Sequence, residues 1–278
     1  MVRIAHIVNV TNPPPESDLV AAQPVTIASM RAARTFAQGK VDVEFYSVHS
    51  HTEKVDMPDG FLPLRPLERD INDIGSFRAK RPLPLLRDIL DRLYEESDAD
   101  YFVYTNVDIA LMPHFYTTIN YHINKGYDAL VINRRNIPTE PNLSTDLPIM
   151  YTSLGTTHPG YDCFVFRRNL YPHFVLGDVC LGIGHVDLPL ICSMIAACKS
   201  FLLLKQEHLT FHLGVPRIWK WRIFRDYSTH NDREASRALI TLAARVPLPL
   251  RPWYRLLLKI HLLKNSLFVK EFLRIYSK

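Results

Sequence analysis

The strongest constraint on this chain is its opening alternation of strand-like and helix-like segments. RIAHIVNV (3–10) is a short apolar run rich in β-branched residues, which reads as a buried strand. TNPPPESD (11–18) cannot be helical, because prolines lack a backbone donor and clash with the preceding turn. QPVTIASMRAARTFAQGK (23–40) reads as a helix closed by Gly39, and VDVEFYSV (41–48) as a second strand. Strand, loop, helix and strand in this order make a βαβ unit, and so a parallel sheet.

The pattern continues downstream. Leu83, Leu86, Leu90 and Leu93 recur at helical spacing in LPLLRDILDRLYEESD (83–98), and a strand follows in YFVYT. The remaining predictions are a helix over 112–128, strands over 129–135 and 162–168, a helix over 186–200 and a strand beginning at 201. Two long irregular segments, 50–82 and 136–160, interrupt the pattern, and loops of that length are more often functional than filler. After Asp226 the chain reads as mostly helical. The expectation is a mixed, mostly parallel α/β sheet flanked by helices over 1–225, with a helical extension over 226–278.

Charge is uneven. The formal net charge is +5, but residues 251–278 carry seven basic side chains against Glu271, so the body is close to neutral. That argues against a protein built for nucleic acid. The tail, with apolar residues at helical period among Lys, Arg, Trp253 and Tyr254, suits an anionic membrane surface, a helix packed on the body, or a contact between copies of the chain. Cys163, Cys180, Cys192 and Cys198 form no CxxC pair and match no zinc spacing. Reduced thiols, no signal-like N-terminus and no apolar run long enough to cross a bilayer point to a cytoplasmic chain, which the tail would bring to the inner membrane face.

The chemistry centres on TNVD (105–108). Ligands of open α/β sheets bind at the carboxyl ends of strands, and Asp108 lies just past YFVYT. A carboxylate there either binds a divalent cation bridging diphosphate oxygens or caps the next helix. Asn106 offers a neutral oxygen to the same ligand. In HPGYD (158–162), a turn signal places Tyr161 and Asp162 at a strand entrance. LGIGHVD (181–187) frees the backbone with two glycines and brings His185 and Asp187 to a helix start. His208 and His212 in EHLTFHLG (207–214) share one face whether the segment is strand or helix.

These pieces, in this order, resemble the nucleotide-sugar-dependent glycosyltransferases of the GT-A fold over residues 3–214. TNVD stands where that superfamily carries its DxD motif, with Asn106 in place of the first acid. The resemblance implies a GT-A-like, Rossmann-like sheet and a nucleotide-sugar donor. It implies a glycan or lipid-linked saccharide as acceptor, and Mn²⁺ or Mg²⁺ held by Asp108 with His212 or His208. It places Asn9, Thr11 and Asp18 near the base and ribose, and Arg78, Lys80 and Arg81 near the diphosphate. Tyr161 and Asp162 fall beside the donor sugar, and Asp187, with His185 close by, stands where inverting members carry a general base. Two other classes remain open: a nucleotidyltransferase, against which the glycine-free loop 11–20 speaks, and a non-catalytic saccharide-binding relative.

Overall fold

The computed structural model describes residues 1–214, 222–243 and 245. The basic tail over 251–278 and the helix expected there lie outside the described residues. Nine strands form one sheet: β1 (Arg3–Val8), β2 (Asp42–Ser47), β3 (Phe61–Pro63), β4 (Tyr101–Thr105), β5 (Ala110–Leu111), β6 (Ala129–Ile137), β7 (Thr156–Arg167), β8 (Phe201–Leu204) and β9 (Thr210–Leu213). The order is β3-β2-β1-β4-β7-β6-β9-β5, with β8 also on β6. The β3-β2-β1-β4 half is parallel; β7 runs antiparallel to both β4 and β6. This is the mixed, mostly parallel sheet that the alternating sequence predicts.

The helices are α1 (Leu19–Ala37), α2 (Leu86–Glu96), α3 (Phe115–Asn124), α4 (Leu147–Met150), α5 (Asp187–Ala197) and α6 (Arg225–Ala243). None of the described helices is long and apolar enough to cross a membrane. By its internal contacts the chain divides into two compact units. Among the described residues, the first holds Met1–Glu68, Ile89–Tyr171 and 199–214, and the second holds Arg69–Asp88, Pro172–Cys198, 222–243 and 245.

The first unit contains the whole sheet. Its main core joins Ile4 and Val8 of β1, Met30 and Ala33 of α1, Val103 of β4, Phe115 and Ile119 of α3, and Leu130 and Ile132 of β6. β1 and β4 are buried along almost their whole length, as parallel strands covered on both faces are. His6 therefore lies in the core, fully buried. Its Nδ1 meets the Tyr116 hydroxyl at 2.6 Å and its Nε2 meets Thr105 Oγ1 at 2.9 Å. A neutral imidazole with one donor and one acceptor is satisfied by two hydroxyls, and burial lowers its pKa to about 3.

Some predicted boundaries shift. α1 starts at Leu19 rather than 23, so Pro24 lies inside the helix. Gln23 beside it binds the loop reciprocally: its Oε1 accepts from Thr11 N and its Nε2 donates to Thr11 O, both at 3.0 Å. β7 begins at Thr156, so Pro159 and Gly160 lie within a strand rather than in a turn before it. Register shifts in the β6–β7 ladder on either side of Asn133 accommodate them, because proline within a sheet is tolerated at bulges. The strand beginning at 201 is β8, and β9 follows after residues 205–209.

The second unit packs Ile71, Leu85, Cys180, Ile183, Phe224 and Tyr227 into its own small core. Asn231 of α6 is fully buried, accepts from Cys180 N (2.9 Å), and donates to Cys180 O (3.0 Å) and Gly184 O (3.1 Å). Asn231→Ala strands all three backbone groups and is expected to cost about 2–4 kcal/mol. Urea denaturation checks this: a loss within the range of an ordinary surface substitution would contradict the anchoring role.

Candidate functional site

At the carboxyl end of β4 the chain makes a tight turn closed by Ile109 N donating to Asn106 O (3.1 Å). Val107 and Ile109 are buried in the sheet's apolar interior, while Asn106 and Asp108 are only partly buried. That two-residue alternation turns both polar side chains of TNVD away from the core. The backbone beyond it is tied to α1 by Leu111 N donating to Ser29 Oγ (2.9 Å). Asp108 does not cap a helix: β5 follows it, and the N-cap of α3 is His114.

Asp108 Oδ2 lies 3.2 Å from His212 Nε2, and the His212 ring is 2% exposed. His212 Nδ1 lies 3.1 Å from the carbonyl oxygen of Gly214. That carbonyl needs glycine behind it: φ is +66°, and a Cβ would meet the Thr139 side chain at 2.5 Å. Burial pushes the Asp108 carboxyl up, but the hydrogen bond and charge of His212, the charge of Arg134 and its own backbone N–H outweigh this and hold it below the usual range. An ionised carboxylate and a carbonyl both accept only. The ring therefore meets them with a proton on each nitrogen, or with a metal ion in place of the Nε2 proton. Asp108 Oδ1 is buried with no hydrogen-bond partner. One orphaned carboxylate oxygen and one imidazole nitrogen aimed by a backbone carbonyl fit a divalent cation. Among the described residues no third His, Cys, Asp or Glu completes a metal-holding group.

Asn106 is held from both ends. The buried Tyr104 hydroxyl donates to its Oδ1 at 2.9 Å, and its Nδ2 faces Asp162 Oδ1 at 3.5 Å. Burial first, then the charges of Asp108 and Asp162, raise the Tyr104 pKa, so the phenol remains a donor. Asp162 Oδ2 lies 3.0 Å from Arg134 Nη1, with the two side chains 16% and 5% exposed. Arg134 Nε also donates to Asn136 Oδ1 (3.2 Å), and Asn136 is the ladder partner of His212. His158 Nδ1 stands 3.9 Å from Asp162 Oδ2; burial and then Arg134 lower its pKa. Tyr161 is half-buried on β7 opposite Asn133, which donates to the carbonyl oxygens of His158 and Gly160.

The other predicted site residues divide. His208 precedes β9 with a left-handed φ of 47°. It therefore does not share a strand face with His212. Burial, then the charges of Arg135 and His114, lower its pKa. Asn9 is buried and donates to Val48 O, and Thr11 is engaged with Gln23 through its backbone. Asp18 is exposed at the N-cap of α1. In the second unit, Arg78, Lys80 and Arg81 carry exposed side chains on a loop tied to α6, where Arg78 N donates to Asp226 Oδ2 (2.7 Å) and Arg81 N to the Tyr227 hydroxyl (2.9 Å). His185 has φ 69°, and its Nε2 lies 3.2 Å from Asp232 Oδ1. Asp187 is the first residue of α5. Sequence reasoning missed Arg134, Tyr104 and His158. A signal for Arg134 existed: two arginines directly after the apolar run ALVIN, where a strand would end at the ligand side of the sheet.

No family model matches this sequence, and no curated protein does. Solved structures align with this chain at low identity. TarS of S. aureus, solved in complex with UDP-GlcNAc, is 10% identical, with a TM-score of 0.44 over 91% of this chain and 78% of that one. Glucosyl-3-phosphoglycerate synthase of Mycobacterium tuberculosis is 13% identical, with a TM-score of 0.47 over 88% of this chain and 81% of that one; it was solved with Mn²⁺, UDP and glucosyl-3-phosphoglycerate.

Proposed function

We propose that this chain is a GT-A-type glycosyltransferase that moves a sugar from a nucleotide-sugar donor to a hydroxyl of a glycan or lipid-linked saccharide. The observation that carries this reading is the pairing of Asp108 with His212 at the carboxyl end of β4, with Asp108 Oδ1 orphaned and His212 Nδ1 held by the Gly214 carbonyl.

In this reading Asp108 and His212 hold Mn²⁺ or Mg²⁺, which when bound neutralises charge on the departing nucleoside diphosphate. Arg78, Lys80 and Arg81 are proposed as further diphosphate contacts, and Asn9, Thr11 and Asp18 as the base and ribose contacts. Asp162 accepts a hydrogen bond from a sugar hydroxyl, and Tyr161 offers a ring face with a polar tip. Asp187 takes the proton of the acceptor hydroxyl, with His185 as its neighbour in the loop. The acceptor oxygen then bonds to the anomeric carbon as the carbon–oxygen bond to the diphosphate breaks, inverting configuration. The basic tail is the part of the sequence suited to meeting a membrane that carries a lipid-linked acceptor, at its cytoplasmic face. One observation favours a non-catalytic saccharide-binding reading instead: Asn106 removes an acid and Arg134 engages Asp162, which leaves two protein ligands for a cation.

Turnover decides between the two. The full chain is incubated with UDP-, GDP-, dTDP- or CMP-sugars and a saccharide acceptor panel in Mn²⁺, and release of the nucleoside diphosphate (nucleoside monophosphate for CMP-sugars) is followed. Release from one donor class that rises with acceptor supports transfer. No release from any donor, with binding of saccharide retained, would overturn it in favour of the binding protein.

A further inference from the structure

Arg134 is a buried arginine inside the candidate donor site. Its Nη1 holds Asp162 Oδ2 at 3.0 Å, its Nε is anchored on Asn136 Oδ1, and Asn136 neighbours His212 across the β6–β9 ladder. Asp162 in turn stands 3.5 Å from Asn106, two residues from Asp108. One connected set of side chains thus places two carboxylates on the same side of the sheet. One of them, Asp108, faces an imidazole with an oxygen unpartnered; the other, Asp162, is engaged by a guanidinium.

We propose that Arg134 sets the cation affinity of this site by occupying Asp162, so that a metal ion is held by Asp108 and His212 alone. A hard divalent cation gains from each added carboxylate oxygen, and a fixed positive charge nearby repels it. With Arg134 present, Asp162 is withheld from the cation and oriented for a sugar hydroxyl. Asp108 and His212 would then be the side chains that hold a cation, and the charge it supplied when bound would act on a diphosphate. Arg134 is a positioning residue: it acts through Asp162 and through its charge. This inference rests on reading Asp108 and His212 as the cation pair.

The test is a titration of Mn²⁺ alone into the full chain, with free Mn²⁺ followed by electron paramagnetic resonance. Wild type is expected to bind Mn²⁺, and D108A to lose that binding. Arg134→Gln is expected to bind about tenfold more tightly, the scale on which one nearby charge shifts an ionic equilibrium. Asp162→Asn, which leaves Arg134 uncompensated, is expected to bind several-fold more weakly than wild type, and the double variant to lose the tightening seen in Arg134→Gln. If Arg134→Gln does not fold, the weakening in Asp162→Asn carries the test. Wild-type binding with unchanged affinity in every folded Arg134 and Asp162 variant overturns the inference and leaves the cation pair standing. Wild type that binds no more Mn²⁺ than D108A overturns the cation pair itself.

Discussion

Asp108→Ala is expected to lower sugar transfer about a hundredfold to a thousandfold, the range over which a single preorganised charge-stabilising group acts. The side chain is the meeting point of the site. Its Oδ2 faces His212, its Oδ1 has no protein partner, and it stays ionised because His212 and Arg134 outweigh its burial. The orphaned Oδ1 costs free energy that a purely structural aspartate would avoid, while the pairing of Oδ2 with His212 offsets part of it. The same substitution should therefore lower the melting temperature modestly while removing the dependence of transfer on Mn²⁺. Turnover with and without chelator, measured beside a thermal melt, separates the two effects. A variant that melts far below wild type would make Asp108 a structural residue. One that retains full, chelator-sensitive transfer would remove it from the site.

Lowering the pH from 7 to 5 is expected to cost the first unit about 2 kcal/mol through His6 alone. The folded value of about 3 lies below the ordinary 6.5, because the ring is enclosed between Tyr116, Thr105 and the face of Phe115. Above pH 6.5 the ring is neutral in both states and contributes no pH dependence. Between 6.5 and 3 the unfolded chain binds a proton that the folded chain refuses, so stability falls as pH falls. His6→Gln keeps a polar partner for the hydroxyls and does not titrate. Its urea midpoint should start lower at pH 7 and then fall less between pH 7 and 5 than that of wild type. Equal losses in both proteins would mean that His6 is not buried as described. His158 and His208, whose values burial also lowers, add to the slope in both proteins and cancel in the comparison.

The regular elements of the sheet unit were legible because local pattern decides them. The apolar runs at β1, β4 and β6 and the leucine period of α2 each have a single low-energy reading once they must bury one face or two. Asp108 was legible as a position, since a carboxylate just beyond an apolar strand must lie at the ligand end of the sheet. Its partner came only from the resemblance, which left His212 and His208 both open; no local signal chooses between them, because His212 is 104 residues away and the β5–β9 pairing brings it to Asp108. The Arg134–Asp162 pair is likewise a product of the antiparallel β6–β7 ladder, whose irregular register no local signal reports. Local rules misplaced some boundaries. The helix read from 23 starts at Leu19 and encloses Pro24, and Pro159–Gly160 read as a turn yet lies in β7. Asn106 also gains a physical reason that the sequence could not give. An acid there would stand beside Asp162, while the amide accepts from Tyr104 and turns its NH₂ toward that carboxylate.

The most direct measurement is calorimetric binding of UDP-, GDP-, dTDP- and CMP-sugars to wild type and Asp108→Ala, each with and without Mn²⁺. One nucleotide class is expected to bind wild type in a metal-dependent way, and Asp108→Ala to lose that dependence. Binding of a donor with equal affinity in all four conditions would contradict the role of Asp108 and His212. Binding of none, in the presence of acceptor saccharide as well as in its absence, would contradict the donor site itself.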